Sequence, residues 1–287
     1  MPDANMYKVD GDISWCPGCG NYGILDSLRQ ALAELEIKPH QAVIVSGIGQ
    51  AAKTPHYVYS NGFNGLHGRA VPPAQGIKIA NKALKVIIHS GDGDSYGEGG
   101  NHLIHAIRRN VDITHVVHDN QIYGLTKGQA SPTTEKGHKT SMQPGGSMSD
   151  ALKPLTLALA AGCGFVARAF SGDQKHLTAI LKEAINYRGY ALIDVLQPCV
   201  AFNHVNTFKW YKERVYYLDS GSYNNTDLAE ALKKSLEWGD GGIPLGIIYR
   251  EEKTNYEDRI KQQKEAPPLV ERKWEPRYAE KFMEDFR

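Results

Sequence analysis

A chain of 287 residues is long enough for one large or two small domains with a sizeable core. Its formal net charge of +1 and hydrophobic content of 41% leave no basic footprint for nucleic acid and no polyacidic tail. No run approaches the roughly 18 apolar residues of a membrane helix, the first residues lack a signal-type apolar core, and four cysteines are too few for a disulfide scaffold, so a cytoplasmic protein is expected.

In chain order, apolar positions at helical spacing (Ile24, Leu25, Leu28, Ala31, Leu32, Leu35) predict a helix over 21–36, and the run Ala42 to Val45 predicts a buried strand. The pattern continues with strand 85–90, helix 98–109, strand 113–118, helix 147–162, strand 165–170, helix 173–187 and strand 190–197. Continuous apolar strands alternating with helices imply an α/β fold with a doubly wound, mostly parallel sheet covered on both faces. The segment 121–146, rich in Gly, Ser and Pro, is too long for a mere connection and reads as an active-site loop. Residues 1–218 are taken as the main domain. Residues 219–287, polar and carrying Pro267, Pro268 and Pro276, are taken as a C-terminal extension, either a mobile end or an arm laid on another subunit.

Gly91-Asp92-Gly93 follows the apolar run Val86 to Ile88, at the carboxyl end of a predicted parallel strand, where open α/β sheets bind ligands. Glycines there let backbone amides approach a diphosphate. Adjacent acids call for a cation, and hard oxygen ligands beside phosphate suit Mg²⁺, with Asp92 as one ligand. The next strand end supplies the Asn120 amide oxygen and the Ile122 carbonyl. A second Gly-Asp-Gly, at 239–241, closes a helix pattern and needs no ligand. Cys16-Pro17-Gly18-Cys19 has the spacing of a thiol redox pair, half a zinc site or two ligands of an iron–sulfur cluster.

Together, "WCPGCG" (15–20), "VSGIGQ" (45–50), "GLHGRA" (65–70), "GDGD" (91–94), "RRNVDITHVVHDNQIYGLTKGQASPT" (108–133) and "QPC" (197–199) resemble the beta subunit of 2-oxoacid:ferredoxin oxidoreductases, over about residues 10–250. The resemblance implies the thiamine diphosphate-binding fold. Gly47, Gly49 and His67, with Gly91, Asp92, Gly93 and Asp94, would hold the diphosphate. Asp92, Asn120 and Ile122 would hold magnesium, and Tyr123, Gly124, Leu125 and the residues to Gln129 would line the reaction chamber. It also implies an alpha subunit that brings the pyrimidine-binding domain and its glutamate, with a 2-oxoacid converted to acyl-CoA and CO₂ and electrons passed to ferredoxin, in a direction that can reverse. The family uses four thiolates for one [4Fe–4S] cluster. Here Cys16, Cys19 and Cys199 match, whereas Gln50 stands where the family has the cysteine after "GIG". Cys163, at a small-residue helix end, reads as a buried structural thiol.

Lys53 and Lys127 fall in loops beside the cofactor turn. A cation there would recognise the second carboxylate of a 2-oxodiacid by a charge-assisted hydrogen bond, which favours 2-oxoglutarate. His102, His105, His115 and His118 alternate between a helix and a strand and are assigned to packing. Two other readings stay open: a thiamine-dependent non-oxidative decarboxylase or carboligase without a cluster, and a non-catalytic metal-binding or assembly subunit.

Overall fold

Successive strand residues point to opposite faces, and here both faces are apolar. The structure, a computed structural model, describes residues 3–218, 221–273 and 277–286. Its eight strands are β1 (Ala42–Ser46), β2 (Asn61–Asn64), β3 (Lys85–Gly91), β4 (Ile113–Asp119), β5 (Phe165–Phe170), β6 (Tyr190–Leu196), β7 (Val215–Tyr217) and β8 (Ile243–Arg250). They form one sheet in the order β2-β1-β3-β4-β6-β5-β8-β7, parallel throughout except for β5 against β8.

Ile44, Ile87, Val116 and Ile193 face one layer, where α1 (Asn21–Glu34) contributes Ile24, Leu28 and Leu32. Their neighbours Val45, Ile88, Val117 and Leu192 face the other, packing against Ala74 of α2 (Val71–Ala80), Leu103 of α3 (Gly100–Arg109) and Leu155 of α4 (Pro154–Ala160). Helix α5 (Gln174–Asn186) returns to the first layer through Leu177 and Leu181. Each fully buried Leu or Ile contributes about 1.5–3 kcal/mol. The result is a rigid sheet whose carboxyl edge carries the loops after β1, β3 and β4.

Several boundaries differ from the sequence reading. The helix expected over 147–162 starts only at Pro154, whose fixed φ suits a first helical position. The helix expected at 98 starts at Gly100, behind one π-helical turn over Gly93–Glu98. Strand β2 and helix α2 were not expected. All four residues of β2 are exposed, so it carries no apolar signal. The largest departure is β8. It lies within 219–287 yet is mostly buried and pairs with β5, so this stretch completes the sheet rather than extending from it. Farther on, the Lys82 ammonium donates to the carbonyls of Gln263, Lys264 and Ala266, fastening that part of the tail to the domain. Pro276 lies outside the described residues.

Candidate cofactor and metal site

The loops after β1 and β3 are joined by Asp94. Its Oδ1 accepts from the backbone amides of Gly68 at 2.7 Å and Ile48 at 3.1 Å, and His67 Nε2 lies 3.6 Å away. A Cβ on Gly47 would come within 2.1 Å of Asp94 Oδ2, so only glycine allows this approach. The Gly47–Gly49 turn, His67 and the π turn are thereby held side by side, with Asp94 acting as their post. Tyr123 lies against the same turn, where a Cβ on Gly93 would meet its ring at 2.1 Å, and its hydroxyl donates to Glu98.

Asp92 is 2% exposed. Its Oδ2 accepts from Ser131 Oγ at 2.5 Å and Thr133 Oγ1 at 2.6 Å, both from the long loop after β4. Burial nevertheless pushes its carboxyl up to about 6, against those hydrogen bonds. Two further buried acids lie nearby. Burial and the charges of Asp194 and Asp92 raise Asp119, whose Oδ1 is 2.9 Å from the same Thr133 hydroxyl. Asp194 faces Arg168 at 3.8 Å and accepts from Tyr96 at 2.8 Å. Arg168 and Asp194 are direct cross-strand partners of β5 and β6.

Asn120 is oriented from both sides. Its Nδ2 donates to Gln197 Oε1 at 3.1 Å, which fixes the amide, and its Oδ1 accepts from Ile122 N at 3.0 Å in an Asx turn. Between them Gln121 is left-handed, φ 58°, a conformation common at ligand sites. Magnesium fits this arrangement. A buried carboxylate short of compensation and an amide whose nitrogen is already committed present oxygens to a hard cation.

Gln197 also reaches the cysteines, donating through Nε2 to Cys19 Sγ at 3.4 Å. Cys16, Cys19 and Cys199 are free thiols that line one small cavity together with Gln50, Asn120 and Gly124. Burial and the neighbouring Cys199 and Cys16 push the Cys19 thiol up to about 11, although the Asn21 backbone amide donates to it. Among the described residues no three His, Cys, Asp or Glu side chains are arranged around a single metal ion. A cubane cluster asks for something else, one thiolate on each of several irons, and three sulfurs around one cavity fit that demand.

Of the other sequence candidates, Lys53 donates to the Ser14 carbonyl at 3.0 Å, and Lys127 is exposed on a turn with φ 61°. Leu125 is exposed beside it. Cys163 is buried in the core and donates to the Phe165 carbonyl. His115 bonds Ser90 and Tyr190, and His118 bonds His89 and Asn21, so these two histidines serve separate buried networks. Sequence reasoning missed Ser131, Thr133, Asp119, Asp194 and Arg168. An acid inside the apolar run "ALIDVL" and an arginine inside "FVARAF" were the available signals.

Glycine turns and oxygen-bearing side chains at the carboxyl ends of parallel strands are what a diphosphate-binding α/β domain presents. In agreement, the family "Thiamine pyrophosphate enzyme, C-terminal TPP binding domain" matches residues 43–195, and the family of the C-terminal part of the pyruvate ferredoxin oxidoreductase beta subunit matches 199–265. The chain is 46% identical over 267 residues to 2-oxoacid:ferredoxin oxidoreductase 1, subunit beta, of Aeropyrum pernix, covering 89% of this chain and 84% of that one. It is 35% identical over 247 residues to 2-oxoglutarate synthase subunit KorB of Methanocaldococcus jannaschii, covering 86% and 90%. A solved structure of 2-oxoglutarate:ferredoxin oxidoreductase from Magnetococcus marinus, with 2-oxoglutarate, coenzyme A and succinyl-CoA bound, superposes with a TM-score of 0.90 at 32% identity, over 98% of this chain and 95% of that one. The chain belongs to the family of 2-oxoacid:ferredoxin oxidoreductase beta subunits.

Proposed function

We propose that this chain, paired with an alpha subunit, carries out the coenzyme A-dependent oxidative decarboxylation of 2-oxoglutarate, passing electrons to ferredoxin. The observation that carries the reading is Asn120, which lines the three-cysteine cavity and also stands at the metal site, so that electron source and electron exit share a wall. Bound thiamine diphosphate supplies the means of cleaving the bond between the keto carbon and its carboxylate, and an iron–sulfur cluster takes up electrons singly.

The chain's own residues do the rest. Asp92, Asn120 and the Ile122 carbonyl hold magnesium, the Gly47–Gly49 turn and His67 bind the diphosphate, and Tyr123 walls the chamber. Cys16, Cys19 and Cys199 hold the cluster. Lys127, exposed in the chamber turn, is the cation offered to the distal carboxylate, with Lys53 as the second candidate. Exposed Ile48, Leu66 and Leu125, one from each cofactor loop, support a partner that closes the site.

The test is anaerobic co-purification with the alpha subunit, followed by viologen reduction with 2-oxoglutarate or pyruvate, with and without coenzyme A. Reduction that requires coenzyme A and prefers 2-oxoglutarate is expected. Release of CO₂ without electron transfer would favour the non-oxidative decarboxylase, and an inert complex that binds no thiamine diphosphate would favour an assembly subunit.

A further inference from the structure

Gln50 Oε1 is buried and has no hydrogen-bond partner among the described residues. The backbone of the same residue is anchored, its carbonyl accepting from Trp15 Nε1 at 2.8 Å, and the side chain lines the cavity of the three thiols. A buried amide oxygen without a partner is unfavourable, so the cavity suits a group this oxygen can bind. The neighbouring amide nitrogens do not donate to it. Asn120 Nδ2 goes to Gln197, and Gln197 Nε2 goes to Cys19 and the Pro198 carbonyl.

A second orphan faces the same cavity. Asn21 is 1% exposed, its Oδ1 is bonded to His118, and its Nδ2 has no partner among the described residues. The residues around this cavity therefore include an unpaired carbonyl oxygen, an unpaired N–H and three cysteine sulfurs. A Lewis acid satisfies the first and an electron-rich sulfur satisfies the second. A cluster of iron and sulfide offers both.

We propose that Gln50 Oε1 ligates the fourth iron of a [4Fe–4S] cluster whose other three irons are held by Cys16, Cys19 and Cys199. This rests on the cluster assigned above. An amide oxygen is neutral and hard, a weaker ligand for iron in a sulfide-rich centre than a thiolate. The cluster is thus differentiated, with three irons held firmly and one exchangeable. One-electron oxidation by ferricyanide converts [4Fe–4S]²⁺ to [3Fe–4S]⁺, with one Fe²⁺ released and one electron passed to ferricyanide. The three Cys–Fe bonds persist, and only the Gln50–Fe bond and the bonds from that iron to sulfide break.

Gln50 has ordinary helical angles, φ −68° and ψ −39°, so the backbone accepts Ala or Cys. The experiment uses the anaerobically purified complex with its alpha subunit, as wild type, Gln50→Ala and Gln50→Cys. Iron and sulfide are counted, and paramagnetic resonance is recorded before and after one equivalent of ferricyanide and again after the electron is returned by dithionite and Fe²⁺ is titrated in. Wild type should gain the [3Fe–4S]⁺ signal and lose it on reloading. Gln50→Ala should rebind Fe²⁺ at least tenfold more weakly, and Gln50→Cys should resist conversion. Equal reloading of wild type and Gln50→Ala, or a wild-type cluster indifferent to ferricyanide, would overturn the assignment of Gln50 while leaving the cluster in place. Protein free of iron and sulfide would instead overturn the cluster reading, and this proposal with it.

Discussion

The Ser131 hydroxyl donates to Asp92 Oδ2 across 2.5 Å, tying the long loop after β4 to the end of β3. Ser131 and Thr133 together grip this one carboxylate oxygen and so hold the proposed metal ligand in place. A hydrogen bond to a charged group is worth about 1.5–3 kcal/mol. Ser131→Ala should therefore weaken magnesium binding about tenfold at saturating thiamine diphosphate, read from the cofactor's quenching of protein fluorescence. Magnesium affinity equal to wild type would detach this loop from the metal site.

Asp92→Asn separates binding from stability. The neutral amide gives up an anionic metal ligand, so thiamine diphosphate affinity at fixed Mg²⁺ should fall tenfold or more, about 1.4 kcal/mol per decade. Burial and nearby Asp194 already disfavour the charge on Asp92, and removing it also relieves Asp119. The apo variant should melt no lower than wild type while binding worse. A variant that is destabilised and binds normally would reverse both assignments.

Gln197 joins the two halves of the site, accepting from Asn120 and donating to Cys19 Sγ. An N–H donor to a cluster sulfur stabilises the more negative, reduced state and raises the potential. Gln197→Leu should lower the cluster potential by tens of millivolts, where about 59 mV corresponds to tenfold for one electron. Potentiometric titration followed by paramagnetic resonance measures it. An unchanged potential would mean that Gln197 serves Asn120 alone.

How much of this was legible beforehand follows from where the information lies. The runs Val86 to Ile88 and Val116 to Val117 announce buried parallel strands because both of their faces are apolar, and the ligand-bearing ends of β3 and β4 follow from them. Strand β2, "NGFN", is paired on one side and wet on its faces, so nothing in its own residues marks it. Strand β8 carries Pro244 and Gly246, which mask its apolar content, and it is defined by its pairing with β5. The grip of Thr133 on Asp92 joins residues 41 apart. Such a contact exists only after the loop has folded back, and spacing rules for a single element do not reach it.

His115 offers a pH test away from the metal ligands. It is buried between Ser90, Ser95 and Tyr190, uncharged partners, and burial lowers it to about 3. The folded value lies below the unfolded 6.5, so its contribution is fully present above pH 6.5 and is lost as pH falls toward 3. His115→Gln lacks this proton. The stability gap between wild type and variant should narrow by about 1.4 kcal/mol per pH unit below 6.5, roughly 3 kcal/mol between pH 7 and pH 4. Guanidinium melts of both proteins across that range check it. A constant gap would mean that His115 titrates alike in both states.

The alpha subunit has a footprint that can be tested directly. Ile48 is 44% exposed, Leu66 65% and Leu125 52%. They stand on the three loops that Asp94, His67 and Tyr123 hold around the cofactor, so each of these loops presents an exposed apolar side chain. Burying a large aliphatic side chain contributes about 1.5–3 kcal/mol, and a lysine in its place adds a desolvation cost. Leu66→Lys combined with Leu125→Lys should weaken association by at least a hundredfold, seen as free subunits in sedimentation at micromolar concentration. Because both positions are exposed in the single chain, its circular dichroism and melting should stay as in wild type, which distinguishes a lost interface from a lost fold. Assembly of the double variant at wild-type affinity would place the alpha subunit on another face and leave these apolar loops to close over substrate alone.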